Sequence, residues 1–228
     1  LIEIPKRSLM GIMQPILADA FKNEDLNKVS ELYKKSSLNL MLLGGTIFVL
    51  IWINVNEIFE LIPRQEEFIS GIFVVFFYGL AKVFDMGMGC NNDIIVFSKY
   101  YKVNLPLQFI LVFIVIVTNK IFIPEFGIVG AALATFISVA SYNIIRFLFL
   151  LYKMRIQPFS IKTLLVAIVL VASIFGGSYI ALNINPIPSI LIKSTIIGIP
   201  IVVTFYLLNI SDEINLFINN FINKFKKD

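Results

Sequence analysis

The chain alternates long apolar blocks with short polar connections. A membrane span needs about 20 apolar residues at a rise of about 1.5 Å per residue. Six blocks reach that length, near residues 38–57, 68–92, 103–123, 127–151, 161–182 and 187–209. Residues 1–20 are typical of the end of a seventh helix, and prolines mark the connections ELIPRQEE, IPEFG and NINPIP. The pattern predicts an all-α, polytopic membrane helix bundle within residues 1–209, with six complete spans and the end of a seventh.

Two further segments have the apolar stripe of an amphipathic helix. In FKNEDLNKVSELYKKS, residues 21–36, one side of a short helix would carry Leu26, Val29, Leu32 and Tyr33. In the tail, residues 210–228, helical spacing aligns the apolar positions Ile214, Phe217, Ile218, Phe221, Ile222 and Phe225. The asparagines and lysines of the tail face the other way. We therefore expect the tail to form an amphipathic helix in the plane of the membrane interface.

Composition strengthens the membrane interpretation. Of the 228 residues 58% are hydrophobic, the mean hydropathy is +0.87 and only 15% are charged, whereas soluble domains are about 45–50% apolar. The single cysteine, Cys90, excludes an internal disulfide, and the absence of histidine removes the commonest metal ligand and general base. The sequence begins with Leu1 rather than Met, so we expect a C-terminal piece of a longer protein.

Basic residues are distributed unevenly between alternate loops. One set of loops holds twelve cations: Lys22, Lys28, Lys34, Lys35, Lys99, Lys102, Lys153, Arg155, Lys162, Lys224, Lys226 and Lys227. The opposite set holds three: Arg64, Lys120 and Lys193. Cytoplasmic loops of membrane proteins carry the excess of Lys and Arg. The sequence therefore predicts a cytoplasmic C-terminus and a cytoplasmic 21–36 segment.

The span at 68–92 contains charges where an apolar helix would be expected. At 100° per residue, five of its positions fall within about 80° of one another: Tyr78, Lys82, Asp85, Gly89 and Asn92. A charge at mid-membrane costs about 2.5–3.5 kcal/mol on insertion scales, so this face must meet other helices or a watery cavity. Two interpretations stay open: Lys82 and Asp85 form an internal ion pair that locks packing, or they line a substrate or ion path.

Two other helices carry a comparable polar stripe. In 1–20, one face holds Arg7, Gly11, Gln14 and Ala18, with Lys6 beside it and Pro15 loosening the backbone. In 127–151, one face holds Ala131, Thr135, Ser138, Tyr142 and Arg146. Small residues in this last stripe favour close helix packing, and Arg146 is near enough to the inner end to snorkel. The candidate path residues are therefore Lys6, Arg7, Gln14, Tyr78, Lys82, Asp85, Asn92, Tyr142 and Arg146.

The candidate interior is net positive. Lys6, Arg7 and Lys82 stand against Asp85 alone, and a cavity of that sign in a low-dielectric wall attracts a phosphate or diphosphate group. The sequence contains no recognisable nucleotide-binding loop, metal cluster or nucleophile–base pair. These features indicate recognition and movement of an anionic headgroup rather than catalysis, with no metal, cofactor or nucleic acid.

Three segments resemble one known family. They are FGIVGAALATFIS (126–138), IPKRSLMGIMQPILADAF (4–21) and LYKKSSLNLMLLGG (32–45). In this order and spacing they are similar to the second lobe of bacterial polysaccharide flippases, members of the multidrug/oligosaccharidyl-lipid/polysaccharide exporter superfamily. Physically, small side chains in the first segment let two helices of a hairpin approach closely: Gly127, Gly130, Ala131, Ala132 and Ala134.

The resemblance implies a fold and a function. Family members have two pseudo-symmetric six-helix lobes around a central cavity, often with two extra C-terminal helices. By this resemblance residues 1–20 would end helix eight, and 38–209 would hold helices nine to fourteen, the last two being the extra pair. They move oligosaccharide linked to undecaprenyl diphosphate from the cytoplasmic to the outer leaflet of the bacterial inner membrane, for surface polysaccharides such as the O-antigen of lipopolysaccharide. The lobes rock to give alternating access. The missing N-terminal lobe and the lipid bilayer would be the chain's partners.

Two other functions compete with the flippase. A multidrug exporter of the same superfamily would favour an acidic interior suited to cationic drugs. A membrane-embedded polymerase, ligase or acyltransferase of polysaccharide assembly would need a large outer loop or a histidine at the reaction site. The chain has no histidine and, on the predicted spans, only short outer loops.

Overall fold

The computed structural model describes residues 2–63, 71–182, 184–213, 215–216 and 219, and within them every regular element is helical. This confirms the all-α class for the described part of the chain. In order along the chain, the helices are α1 Ile4–Lys22, α2 Leu26–Ile53, α3 Val55–Glu60, α4 Ile72–Gly87, α5 Asn91–Phe97, a 3₁₀ turn Tyr101–Val103, α6 Asn104–Met154, α7 Ile161–Ser178 and α8 Pro186–Leu207.

Local sequence sets several of these boundaries. The carboxylate of Asp25 accepts a hydrogen bond from the Lys28 N–H at 2.9 Å and caps α2. Ser160 and Thr163 form a capping box at the start of α7. Helix α2 then continues without a break, since residues 26–43 contain neither glycine nor proline. The amphipathic 21–36 segment is therefore not a separate helix but the end of α1 and the first turns of α2.

Length and composition identify four helices that can cross a membrane. They are Leu26–Ile53, Tyr101–Met154, Ile161–Ser178 and Pro186–Leu207, and α4 with α5, bent by 46°, make a fifth if the pair is one span. These helices indicate a membrane protein. The predicted count of six spans plus a seventh is not confirmed. The predicted spans 103–123 and 127–151 both fall within the single helical stretch Tyr101–Met154, and α1 carries four charged residues: Lys6, Arg7, Asp19 and Lys22.

Helix α6 nevertheless folds back on itself at Gly127. This residue has φ 57° and ψ −130°, which are not helical. The hydroxyls of Thr118 and Ser138 lie 2.8 Å apart, whereas 20 residues of straight helix would separate them by about 30 Å. The two arms, 104–126 and 128–154, therefore run antiparallel as a hairpin, with its tip where the sequence predicted a break.

The predicted packing residues of the hairpin differ in their roles. A Cβ added to Gly130 would overlap the carbonyl of Phe122 on the first arm, so close approach requires this glycine. Ala134 is fully buried, and Ala131 is half-buried. A Cβ at Gly127 would meet no heavy atom within 4 Å. Gly127 therefore serves the turn through its backbone conformation and not through close packing.

Helix α2 lies between two apolar clusters. Its first half packs with α1, α5 and the end of α6 through buried residues that include Leu17, Tyr33, Ile94 and Leu150. Its second half packs with α7 and α8 through Val49, Val166, Ile201 and Phe205. Many large apolar side chains outside these clusters stay exposed, such as Phe109 and Phe113 on the first arm of α6. Lipid can cover such surfaces at no cost in hydrophobic free energy.

The start of the C-terminal tail contacts α2. Lys35 lies 3.3 Å from the carboxylate of Glu213, which also accepts a hydrogen bond from Ser211 at 3.1 Å. Burial raises the pKa of the Glu213 carboxyl, but hydrogen bonds from its own backbone N–H, Lys35 and Ser211 outweigh it, so the pKa lies below its ordinary value. The apolar positions that define the predicted amphipathic tail (Ile214, Phe217, Ile218, Phe221, Ile222 and Phe225) lie outside the residues whose side chains the structure describes.

Candidate functional site

Helices α1 and α4–α5 lie side by side and run in the same direction. Three polar contacts join them, Glu3 to Lys82, Lys6 to Asp85 and Gln14 to Asp93, and each joins residues 79 positions apart. Because the same offset recurs three times, the two segments stay in register through the bend between α4 and α5. Only part of the polar stripe predicted on 1–20, Gln14 with the flanking Lys6, therefore faces the stripe of 68–92.

Lys82 and Asp85 both form ion pairs across this interface. Lys82 Nζ lies 2.5 Å from Glu3 Oε1, and Lys6 pairs with Asp85. Arg7 lies 3.6 Å from the other carboxylate oxygen of Glu3. The interpretation that Lys82 and Asp85 pair with each other is wrong. Lys82 and Asp85 lie three residues apart on one face of α4, and both side chains extend to α1 instead.

A chain of amides extends the network to the second arm of α6. Asn143 donates a hydrogen bond of 3.0 Å to Asp85 and accepts one of 2.8 Å from Asn91. Both asparagines are buried, where an unpaired amide would be costly. Asp85 therefore has partners on two neighbouring helices, and this makes it the centre of the network.

Arg146 lies further along the same arm and turns inward. Its Nη2 donates to Asn92 Oδ1 at 2.8 Å and to the Tyr142 hydroxyl at 2.5 Å, and its guanidinium lies 3.9 Å from the centre of the Tyr142 ring. Its Nε has no hydrogen-bond partner among the described residues. The snorkelling interpretation is thus wrong, because Arg146 is only 9% exposed. The ring stacking and two hydrogen bonds hold it within the helix interface.

The predicted continuous helix over 68–92 is broken after Gly87. Gly89 has φ 61°, in the left-handed region that favours glycine. Two serines of α2 bind the backbone at the break: Ser36 Oγ accepts from the Cys90 N–H at 3.1 Å, and Ser37 donates to the Gly87 carbonyl. Irregular backbone is tolerated at membrane depth where protein groups satisfy it. Asn92 therefore belongs to α5, while Tyr78, Lys82 and Asp85 belong to α4.

The remaining predicted site residues lie at the edges of the network. Tyr78 is exposed, with Lys82 Nζ 5.0 Å from the centre of its ring. Gln14 donates to Asp93 at 2.9 Å. Arg7 points away from the helices, with its side chain 83% exposed, and a Cβ at Gly11 would meet no heavy atom within 4 Å. This face of α1 is open, and the network lies beneath it.

Sequence reasoning missed four members of the network: Glu3, Asn91, Asp93 and Asn143. The amide of Asn143 in the apolar 127–151 block was a usable signal, since an amide there needs a partner. For Glu3, the usable sequence signal was a carboxylate three residues before the candidate site residue Lys6. Within the network the cations Lys6, Lys82 and Arg146 stand against three carboxylates, Glu3, Asp85 and Asp93, while Arg7 is largely exposed at its edge. The interior is therefore less basic than the sequence alone predicted.

A second polar cluster lies away from this network. Lys193 of α8 pairs with Glu57 of α3, and Ser189 donates to the same carboxylate oxygen at 3.3 Å. Nearby, Asn54 donates to Ser194 at 3.0 Å. Lys193 was counted among the outer-loop cations but is buried within α8. The pair joins α3 to α8, and among the described residues neither side chain bonds to a member of the network.

Nothing in the described residues provides a metal site, since no three Cys, Asp or Glu side chains come together as ligands. The arrangement instead suits recognition of charged groups by paired side chains. No family model, curated protein or solved structure matches the chain. The family resemblance therefore depends on the three sequence segments that carry it.

Proposed function

We propose that the chain is the second lobe of a bacterial inner-membrane flippase that moves lipid-linked oligosaccharide outward for surface-polysaccharide assembly. The substrate class, an oligosaccharide on a polyprenyl diphosphate carrier, follows from the family resemblance. In this proposal a preceding lobe covers the open face of α1 and completes the central cavity. The two lobes rock around the network to give alternating access. The reaction is transport, with no bond made or broken by the protein.

The observation that carries the proposal is the partial exposure of the ion pairs between α1 and α4. The side chains of Lys6, Asp85, Lys82 and Glu3 are 27%, 26%, 25% and 40% exposed. Charges in a span avoid lipid and face a bundle interior or a water-filled cavity. These ion pairs are accessible to solvent beneath the open face of α1, as residues that line a cavity are. In this proposal a diphosphate replaces the carboxylates as the partner of Lys6 and Lys82.

The proposal also includes a topology. We count each arm of the α6 hairpin as a span, and α4 with α5 as one broken span. Together with α2, α7 and α8 this makes six. The basic loops face the cytoplasm, which places the C-terminus inside. Broken spans near the midplane are common at transporter binding sites, and here the break lies next to Asn91 and Asn92.

A multidrug exporter of the same superfamily is the second candidate. The observation in its favour is the presence of Glu3 and Asp93 in the network, which brings the carboxylates to three. Carboxylates in a low-dielectric cavity attract organic cations. Efflux of a cationic dye by the full-length protein, without effect on surface polysaccharide, would select this candidate over the flippase.

The decisive experiment compares single and double charge removal in the full-length protein. Glu3→Gln alone leaves Lys82 unpaired, and Lys82→Gln leaves Glu3 with only the exposed Arg7 at 3.6 Å. An unpaired charge costs several kcal/mol when buried and less here because of the exposure. The double variant Glu3→Gln/Lys82→Gln removes both charges and should restore folded yield. If Lys82 binds the diphosphate, the double variant stays unable to export polysaccharide. Folded yield in detergent and polysaccharide at the cell surface are the two measurements.

A matched control exists in the same bundle. The double variant Glu57→Gln/Lys193→Gln removes an ion pair that lies away from the proposed cavity. It should keep both folding and export. Normal export by folded Glu3→Gln/Lys82→Gln would contradict the proposal and assign that pair to helix packing alone.

A further inference from the structure

A cavity of about 500 Å³ lies at the lysine-rich end of the bundle, away from the polar network. Three connections surround it: the turn between α1 and α2, the end of α5, and the end of α6. Its wall combines the cations Lys99, Lys153 and Arg155 with the apolar side chains Phe21, Phe97 and Met154. These loops were predicted to share one side of the membrane, and the structure brings them to one end of the fold.

The three cations of this cavity lack counter-charges. Across the described ranges, no carboxylate comes within ion-pair distance of Lys99, Lys153 or Arg155. Glu24 lines the same wall but pairs with none of them. By contrast, the neighbouring cations Lys28 and Lys35 both pair with Glu31. An excess of two positive charges therefore surrounds a space large enough for a small molecule.

Tyrosines place this end of the bundle at a membrane surface. Tyr100, Tyr101 and Tyr152 each lie under a lysine ammonium, at 5.4, 6.0 and 5.1 Å from the ring centre. Tyr152 is 80% exposed. Tyrosine and tryptophan concentrate at the headgroup level of membrane proteins, and lysines near helix ends extend toward the same layer. The cavity therefore opens at the depth of lipid phosphates.

We propose that this cavity binds the phosphate-bearing headgroup of an anionic membrane lipid. Lys99, Lys153 and Arg155 contact the phosphate, and Phe21, Phe97 and Met154 cover the glycerol and the first methylene groups. A soluble phosphate ion carries the same kind of charge but has no apolar part to contact the apolar wall, so the lining favours a lipid. The inference is independent of the proposed transport function, since it concerns a different part of the molecule.

The test measures lipid dependence in the protein reconstituted in nanodiscs. One set of discs contains phosphatidylcholine alone, and the other has one lipid in five replaced by phosphatidylglycerol. Wild-type protein should melt at a higher temperature in the second set and retain phosphatidylglycerol in native mass spectra. The triple variant Lys99→Gln/Lys153→Gln/Arg155→Asn should lose both effects. Each cation near an anionic surface contributes about fivefold, so affinity should fall about a hundredfold. Asn at position 155 suits its φ of 55°.

Further variants distinguish lipid binding from a purely structural role of the cations. Lys102→Gln removes a cation at the same end that does not line the cavity, and it should keep the lipid effect. If the triple variant is unstable, single Lys153→Gln serves, with an expected loss of about fivefold. A lower melting temperature in both discs with the phosphatidylglycerol increment intact would mean that the cations only stabilise helix C-termini, which overturns the inference. Equal protection by inorganic phosphate in phosphatidylcholine discs would overturn it as well.

Discussion

Gly89 permits the bend between α4 and α5. A Cβ at this position would lie 2.6 Å from Ser36 Oγ and 2.8 Å from the backbone nitrogen of Ser37. The backbone of α2 cannot move aside as a flexible side chain would. The left-handed conformation adds a second cost for any residue with a Cβ. Gly89 thus allows the serines of α2 to reach the broken backbone, and the asparagines that follow to reach the second arm of α6.

Replacing Gly89 by Ala should therefore destabilise the protein strongly. Strain at the backbone and overlap with α2 together should cost about 2–4 kcal/mol. Folded yield and melting temperature in detergent are the measurements. Gly176→Ala is the control, because Gly176 is helical with no heavy atom within 4 Å of its Cβ, and there alanine should be neutral or stabilising by up to about 1 kcal/mol. Equal behaviour of the two variants would contradict the role of Gly89 in the break.

Some charged residues of the network, Lys82 and Asp85 among them, could be predicted from sequence, but their pairing could not. Lys82 and Asp85 stood out because charges in an apolar block require a special environment. Which carboxylate meets Lys82 depends on the register between α1 and α4, and the partners are 79 residues apart along the chain. Periodicity within one helix carries no information on that register. The pairing with Glu3 therefore needed the structure.

At the scale of elements, some helix boundaries could be predicted from the local sequence and others could not. Both arms of the hairpin and its tip were predictable, because proline and glycine interrupt the apolar pattern at 124–127. The break at Gly89 was missed although Gly87, Gly89 and the polar residues 91–93 surround it, because glycines are frequent within unbroken membrane helices. The serines that stabilise the break belong to α2. The 21–36 segment was misread as a separate helix because its apolar stripe is real but simply continues into the span.

The hairpin can be tested by cross-linking its two arms. In a Cys90→Ala background, Thr118→Cys with Ser138→Cys should form a disulfide on mild oxidation, since the native hydroxyls are 2.8 Å apart. An uninterrupted helix would hold the two positions about 30 Å apart and prevent it. The pair Thr118→Cys with Thr195→Cys on α8 is the control and should stay reduced. The readout is a mobility shift on non-reducing electrophoresis, and its absence from the test pair would refute the hairpin.

At the scale of the whole molecule, the two ends differ in chemistry. One end carries the cation-lined cavity and three lysine–tyrosine pairs. The other end carries the hairpin tip, where Glu125 and Phe126 are exposed, and the buried Glu57–Lys193 pair. With Lys193 buried, the cation excess at the first end is larger than the loop count from sequence. The positive-inside rule then favours placing the cavity in the cytoplasm.

Orientation can be measured with single cysteines at the two ends, in the same Cys90→Ala background. Asn27 and Glu125 are both exposed, and Glu125 forms no ion pair within the described helices, so Asn27→Cys and Glu125→Cys should fold normally. A membrane-impermeant maleimide that reaches one side of the membrane holding the protein should label position 125 at once and position 27 only after that membrane is opened. The reason is the cation excess near position 27, which opposes its translocation. The cysteine-free protein controls for background, and immediate labelling of position 27 with protection of position 125 would reverse the topology and place the cation-lined cavity outside.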